Sequence, residues 1–193
     1  MPEPRTQCGS GRGRKDRTAP AQRIGPRRRK LRLVEAQVMT EPRLQHYLED
    51  QHVPFETIHH ARALTAQETA ASAHIRGSQL AKTVMVKLDG RLAMVVVPAD
   101  HRVHLGLLRK AAAVDNAELA TEAEFSDRFP DCEVGAMPPF GNLYDIDVYV
   151  DDSVAPTADA RIAFNAGTHT DVLRMSYREF ERLVKPKHVQ LTH

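Results

Sequence analysis

The chain has little with which to cross a membrane, build a disulfide framework or hold a metal, and each shortage excludes a class of protein. No stretch approaches the ~20 consecutive apolar residues that a membrane-spanning helix requires. Its two cysteines, Cys8 and Cys132, form no C-x-x-C pair, which rules out a disulfide framework and fits a reducing compartment, so a cytoplasmic setting is expected. There is no G-x-S-x-G elbow, no Walker loop, no G-x-G-x-x-G after a strand and no H-E-x-x-H, so the usual serine hydrolase, nucleotide-binding and zinc protease signatures are missing. His101 and His104 lack cysteine or carboxylate partners at zinc spacing and read as surface histidines. His59 and His60 would point to opposite sides of a strand and make a poor chelate. Cys132 lies between Asp131 and Glu133, which would raise its pKa and leave it a weak nucleophile. Neither a metal nor a cofactor is expected.

What is present is unevenly distributed. Residues 1–38 carry 11 Lys/Arg against 3 Asp/Glu, a net of +8; residues 39–193 carry 16 against 22, a net of −6, and the two add to the chain's +2. The first segment is rich in Arg, Gly and Pro and has no apolar period before Leu31. Such a composition cannot bury enough apolar surface to offset chain entropy, so 1–38 is expected to be a disordered basic tail. One reading gives that tail a grip on phosphates through Arg27-Arg28-Arg29-Lys30. The other makes Met39, immediately ahead of the first amphipathic segment, the true start. No apolar stretch follows the charges as a secretory signal would need, and serine is too scarce for a good transit peptide. The folded domain is expected over 39–186, with 187–193 a short C-terminal tail. A domain of this size can bury roughly 70% of its extended-chain surface, enough for one core.

Within the domain the periodicities give an ordered set of elements. Leu44, Tyr47 and Leu48 put a helix over 41–51, and Phe55 to Ile58 is a short strand. Thr65-Ala66-Gln67-Glu68, Thr121-Glu122-Ala123-Glu124 and Ser176-Tyr177-Arg178-Glu179 are capping boxes that open three helices, each cap worth ~1 kcal/mol. Lys82 to Leu88 and Arg91 to Val97 are β-branched runs joined by Asp89-Gly90, the preferred type I′ hairpin turn. A helix over 103–113 follows. Later come strands Val148 to Val150 and Ile162 to Asn165, then a tight turn at Gly167-Thr168-His169 into a strand at Val172 to Met175. Interleaved helices and strands with antiparallel connections predict an α+β (mixed) fold, a curved and largely antiparallel sheet flanked by helices.

Three features bear on chemistry. Gly135-Ala136-Met137-Pro138-Pro139-Phe140-Gly141 is a stiff loop in which prolines fix φ and glycines open conformations closed to other residues. Its amides at Gly135 and Ala136 are expected to be bare, able to lie against a substrate oxygen; a purely structural loop is the alternative. Lys82 shares a strand face with Val84, Val86 and Leu88. A lysine there either lines a pocket or snorkels from the strand end to water. His169, in a glycine turn, is expected to be exposed, either orienting water and moving a proton or serving no chemical role.

These marks, in this order, resemble the YbaK/prolyl-tRNA synthetase-associated editing domains, the free-standing trans-editing aminoacyl-tRNA deacylases. The matching residues are Thr65 to Ala71, Ala81-Lys82-Thr83-Val84, Val97-Pro98-Ala99-Asp100, Gly135 to Gly141, Val148 to Asp151 and Ala166-Gly167-Thr168-His169, spanning 39–186. The resemblance implies hydrolysis of the ester joining a wrong amino acid to the 3′ end of tRNA, without metal, with Lys82, Gly135 and His169 around the scissile bond. It implies substrate contacts from Thr65, Thr83, Ala136, Pro138, Phe140, Gly141, Gly167 and Thr168, with Phe140 shaping a pocket for a small side chain. The partners implied are the acceptor end of an aminoacyl-tRNA and a synthetase. Members that clear alanine typically carry Lys-Asn where this chain has Lys82-Thr83, which leaves alanine, cysteine, serine and threonine open as substrates. Two other classes compete: a non-catalytic module that binds aminoacylated tRNA or a synthetase, and a metal-dependent hydrolase.

Overall fold

The computed structural model describes residues 42–154, 157 and 160–191; the basic tail expected over 1–38 lies outside them. In chain order the elements are α1 (Pro42–Asp50), β1 (Phe55–His59), α2 (Ala66–Ser72), β2 (Leu80–Leu88), β3 (Arg91–Pro98), α3 (Leu105–Ala112), β4 (Ala117–Leu119), α4 (Glu122–Phe125), β5 (Asp147–Asp151), β6 (Arg161–Asn165), β7 (Asp171–Ser176), α5 (Tyr177–Val184) and β8 (Lys187–Val189).

The strands form one sheet in the order β1-β7-β6-β2-β3-β5-β8, with β4 pairing the far end of β2. Pairs β1–β7, β6–β7, β2–β3 and β2–β4 are antiparallel, whereas β2–β6, β3–β5 and β5–β8 are parallel. The sheet is therefore mixed, with antiparallel pairing in a narrow majority. At its centre the β2–β3 hairpin turns on Asp89 (φ 47°) and Gly90 (φ 80°), both positive as a type I′ turn demands. The Asp89 carboxylate also accepts the Asn116 amide at 2.8 Å, tying the turn to the approach to β4.

Helices cover both faces. Leu44 and Leu48 of α1 and Phe180, Leu183 and Val184 of α5 pack with Met94 and Val96 of β3 and Phe164 of β6. On the other face Leu108 of α3 packs with Val86, Leu88, Val95 and Val97, and Ala70 of α2 with Leu80, Ala163 and Val172. Strand β3 is buried from Ala93 to Pro98 without alternation, as a strand covered on both sides must be.

The first two capping boxes close as expected: the Glu68 carboxylate takes the Thr65 amide at 3.1 Å and that of Glu124 takes the Thr121 amide at 2.7 Å. The third does not form, because Ser176 makes no side-chain cap bond. Strand β7 runs directly into α5 there: Ser176 is still paired with Arg161, and the Tyr177 amide donates to Ala160 O at 2.9 Å. The segment set apart as a C-terminal tail contributes β8, which pairs with β5, and Leu191, which is fully buried.

Candidate active site

Two of the three residues expected to do chemistry are in contact. A Cβ built on Gly135 would lie 3.6 Å from His169 Cε1. The turn after β6 and the loop at 133–136 are laced together by backbone bonds: Glu133 N donates to Gly167 O at 2.8 Å, and Gly167 N to Ala136 O at 3.0 Å. Gly135 needs to be glycine for its own sake, since its φ of +87° is strained for any residue with a Cβ.

His169 is not exposed, as the sequence suggested, but buried, with 6% of its surface accessible. The reason is the lacing just described, together with the Ala63 amide, which donates to His169 O at 3.1 Å and draws the segment before α2 over the turn. Its Nε2 lies 3.0 Å from Val134 O. A carbonyl can only accept, so Nε2 carries the hydrogen and Nδ1 is left with a free lone pair. Nδ1 is buried and has no hydrogen-bond partner among the described residues. The backbone N–H of His169 donates to Glu133 Oε2 at 2.5 Å, while Glu133 Oε1 accepts Arg62 Nη1 at 2.8 Å. Burial alone would raise the Glu133 carboxyl, but the His169 amide and the Arg62 guanidinium outweigh it and hold it below the ordinary value.

Asp171 is the other anchor of the turn and was not anticipated. It is 2% exposed; its Oδ2 accepts the hydroxyls of Thr168 at 2.6 Å and Thr170 at 2.9 Å, and its Oδ1 meets His59 Nδ1 at 2.5 Å. Burial pushes its carboxyl up, yet the two hydroxyls and His59 together keep it below the ordinary range. The signal was the pattern Thr-His-Thr-Asp after a glycine, where an acidic side chain can bond nearby hydroxyls in a turn.

The expected pair of bare amides is reduced to one. Ala136 N donates to Glu133 O at 2.9 Å because the loop closes a tight turn there. Among the described residues the Gly135 amide meets only the thioether of Met137, 3.2 Å away, a weak acceptor. Phe140 does not face a pocket either. It is fully buried among Tyr47, Phe164 and Phe180, and with the buried Pro138 it seats the loop on the core. Gly141 is demanded by packing, since a Cβ there would fall 2.3 Å from Ile146 O. Thr65 spends its hydroxyl on capping α2 through the Glu68 amide at 3.2 Å.

Lys82 stands on the neighbouring strand. Leu80 and Ala81 pair in parallel with Ala163 and Phe164; Lys82 follows them on β2, and Asn165 follows on β6, its buried Oδ1 without a hydrogen-bond partner among the described residues. Strand alternation puts Lys82 on the face of Leu80 and Val84. Leu80 belongs to the apolar cluster under α2 and Val84 packs against the one under α3, so the lysine falls between the two helices. Its Nζ donates to Ala99 O at 3.2 Å; among the described residues it makes no hydrogen bond to Gly135 or His169. Burial lowers its pKa, Asp100 partly offsets that, and Arg102 adds to the lowering. Thr83 points to the opposite face. A separate cavity of about 970 Å³ opens at the turn end of the β2–β3 hairpin and includes none of these residues. Among the described residues no group of three or more His, Cys, Asp or Glu is placed to hold a metal ion, and no helix is long and apolar enough to cross a membrane.

The mixed sheet and its flanking helices have counterparts among known proteins. The family model for the aminoacyl-tRNA editing domain matches residues 60–183. The chain belongs to the aminoacyl-tRNA editing domain family. Proline–tRNA ligase of Bacillus subtilis (strain 168) is 29% identical over 114 residues, which is 59% of this chain and 20% of the ligase. That of Bacillus cytotoxicus is 33% identical over 89 residues, 46% of this chain and 16% of the ligase. The chain thus spans a fifth or less of these enzymes. Among solved structures, the hypothetical protein APE2540 superposes with a TM-score of 0.69 at 20% identity, covering 78% of this chain and 99% of the other. A candidate trans-editing enzyme for prolyl tRNA synthetase superposes at 0.66 with 20% identity, covering 78% and 95%. At that identity the superpositions establish the fold.

Proposed function

We propose that this protein hydrolyses the ester of a mischarged aminoacyl-tRNA carrying a small amino acid: alanine, cysteine, serine or threonine. The observation that carries the reading is the buried His169 imidazole, whose Nδ1 is left as a free acceptor by the Nε2–Val134 bond and whose edge lies against Gly135. An aminoacyl ester is already activated, so a positioned water and charge stabilisation suffice without a covalent nucleophile. Water attacks the carbonyl carbon as its proton passes to Nδ1. The oxyanion that forms draws the Gly135 N–H away from the Met137 sulfur, a poorer acceptor; one such donor is worth ~10²–10³-fold in rate. The tetrahedral intermediate then expels the ribose oxygen, which recovers the proton from the imidazolium. The products are the free amino acid and tRNA with its terminal hydroxyl restored.

Lys82, held on Ala99 O, supplies the positive charge for the terminal phosphate or the polar end of the substrate. A pocket separates such small side chains by only ~1–3 kcal/mol per methylene, so more than one amino acid is cleared. The test is a panel of mischarged tRNAs treated with catalytic amounts of purified protein in the presence of EDTA, scored for release of each amino acid. Turnover of one or more small residues is expected. Stoichiometric binding without release would replace the reading with a non-catalytic tRNA-binding module, and loss of turnover in EDTA would replace it with a metal-dependent hydrolase.

A further inference from the structure

An acidic domain that works on RNA faces a long-range repulsion, since residues 39–193 sum to −6. The cavity of about 970 Å³ at the turn end of the β2–β3 hairpin is where the local balance reverses. Five cations line it. Two are neutralised: Lys87 by Glu118 and Glu124 at 2.9 and 2.6 Å, and Lys187 by Asp147 at 2.8 Å. The other three, Arg91, Arg128 and Lys185, are exposed, and among the described residues their side chains make no hydrogen bond or ion pair. Among the lining residues, these five cations stand against three carboxylates, Glu124, Asp145 and Asp147, so the lining carries a surplus of +2.

Three separate elements converge to bring this about. Arg91 opens β3 directly after the hairpin turn. Arg128 ends the 3-10 turn after α4, and Lys185 caps α5 in a left-handed conformation at φ 50°. Free guanidinium and ammonium groups on the wall of an open cavity fit phosphates, which arginine binds in bidentate fashion. The cavity is too far from Lys82 to be part of the hydrolytic site: Lys87, the β2 residue in its wall, lies five steps along the strand from Lys82, ~17 Å.

We propose that this cavity is a second RNA contact, gripping backbone phosphates of the tRNA well away from its aminoacylated end. It rests on the hydrolytic reading only for the identity of the polyanion as RNA. Its energetics are those of counterion release, so affinity falls with salt in proportion to the number of phosphates held.

The test compares the full chain with the triple variant Arg91→Ala, Arg128→Ala, Lys185→Asn; asparagine tolerates the left-handed position. Deacylated tRNA is the probe, so binding is read whether or not the protein is a hydrolase, and any grip from 1–38 is common to both proteins. The expected result is an affinity loss of at least about tenfold at low salt, with a plot of log K against log salt shallower by about 2 to 3, one per cation removed. Hydrolysis of a short aminoacylated oligonucleotide, too small to reach the cavity, stays unchanged. Equal tRNA affinity and equal salt slope for the two proteins, with unchanged melting temperature, would overturn the proposal. So would a variant that keeps its grip on tRNA but loses binding of a free nucleoside triphosphate.

Discussion

Glu133 and His169, 36 residues apart, are joined twice: the His169 backbone N–H donates to the Glu133 carboxylate at 2.5 Å, and the imidazole donates to the carbonyl of the next residue, Val134. The first bond fixes where the turn lies; the second fixes which ring nitrogen is free. Replacing Glu133 by Gln removes the charge from a bond to a backbone amide and loosens the link to Arg62. Since this carboxylate is about a third exposed, the effect falls on activity more than stability. The expected outcome is a drop in kcat for ester hydrolysis with little change in KM, because the imidazole is misplaced while the groups proposed to hold RNA are untouched.

Lys82→Ala is expected to abolish deacylation while leaving the fold intact, since among the described residues the side chain makes one hydrogen bond, to Ala99 O; full turnover by a variant with normal circular dichroism would reject the role. The wild-type profile adds a second check. Burial holds the Lys82 ammonium below the ordinary lysine range, so the folded protein binds that proton less tightly than the unfolded chain does. Stability withheld by burying the charge therefore returns as pH rises through the lowered pKa towards the ordinary one. Activity that depends on the ammonium moves the other way, with an alkaline limb below the pH at which a free lysine titrates.

Asp171→Asn tests the second anchor. An amide cannot match a buried carboxylate that receives two hydroxyls and His59, and the cost of leaving such groups poorly paired is ~1–3 kcal/mol, a fall of several degrees in melting temperature. The pH dependence has a definite sign. The folded carboxyl is held below its ordinary value, so its contribution is complete above the unfolded pKa and is lost as pH falls through the folded one. Acid titration of the wild type should show this loss, and the Asn variant should lack it.

Gly135→Ala separates strain from chemistry. The nearest atom to the new methyl is His169 Cε1 at 3.6 Å, an ordinary contact, so the penalty comes from φ +87° and is ~1–2 kcal/mol. A variant that relieves that strain must rotate the Gly135 N–H. The loss of kcat should therefore exceed anything the fall in melting temperature explains, and an active, merely destabilised variant would deny the amide a part in catalysis.

What the sequence made legible was whatever local chemistry dictates. Asp89-Gly90 admits one hairpin turn, and Thr65 with Glu68 admits one helix start, so both were readable without tertiary knowledge. The family motifs brought Gly135 and His169 together before any geometry was seen. Burial of His169 was not readable, because it depends on Ala63 and Glu133, far along the chain. The fate of the Ala136 amide was hidden too, since a turn closed by Glu133 O leaves no mark in composition. Short β4 and β8 escaped notice because three residues make no period, and Ser176 looked like a cap only because its pairing with Arg161 could not be foreseen.

The last strand carries a practical lesson for anyone shortening this protein. Val189 and Leu191 are tucked into the domain, and the Leu191 amide is clasped by Asp151 Oδ2 at 2.6 Å. Ending the chain at Pro186 would strip β5 of its neighbour, baring a row of unpaired peptide groups on a strand whose residues from Val148 to Asp151 are all buried. An open edge of that kind recruits other copies, so a truncated domain would be lost to clumping before its chemistry could be measured.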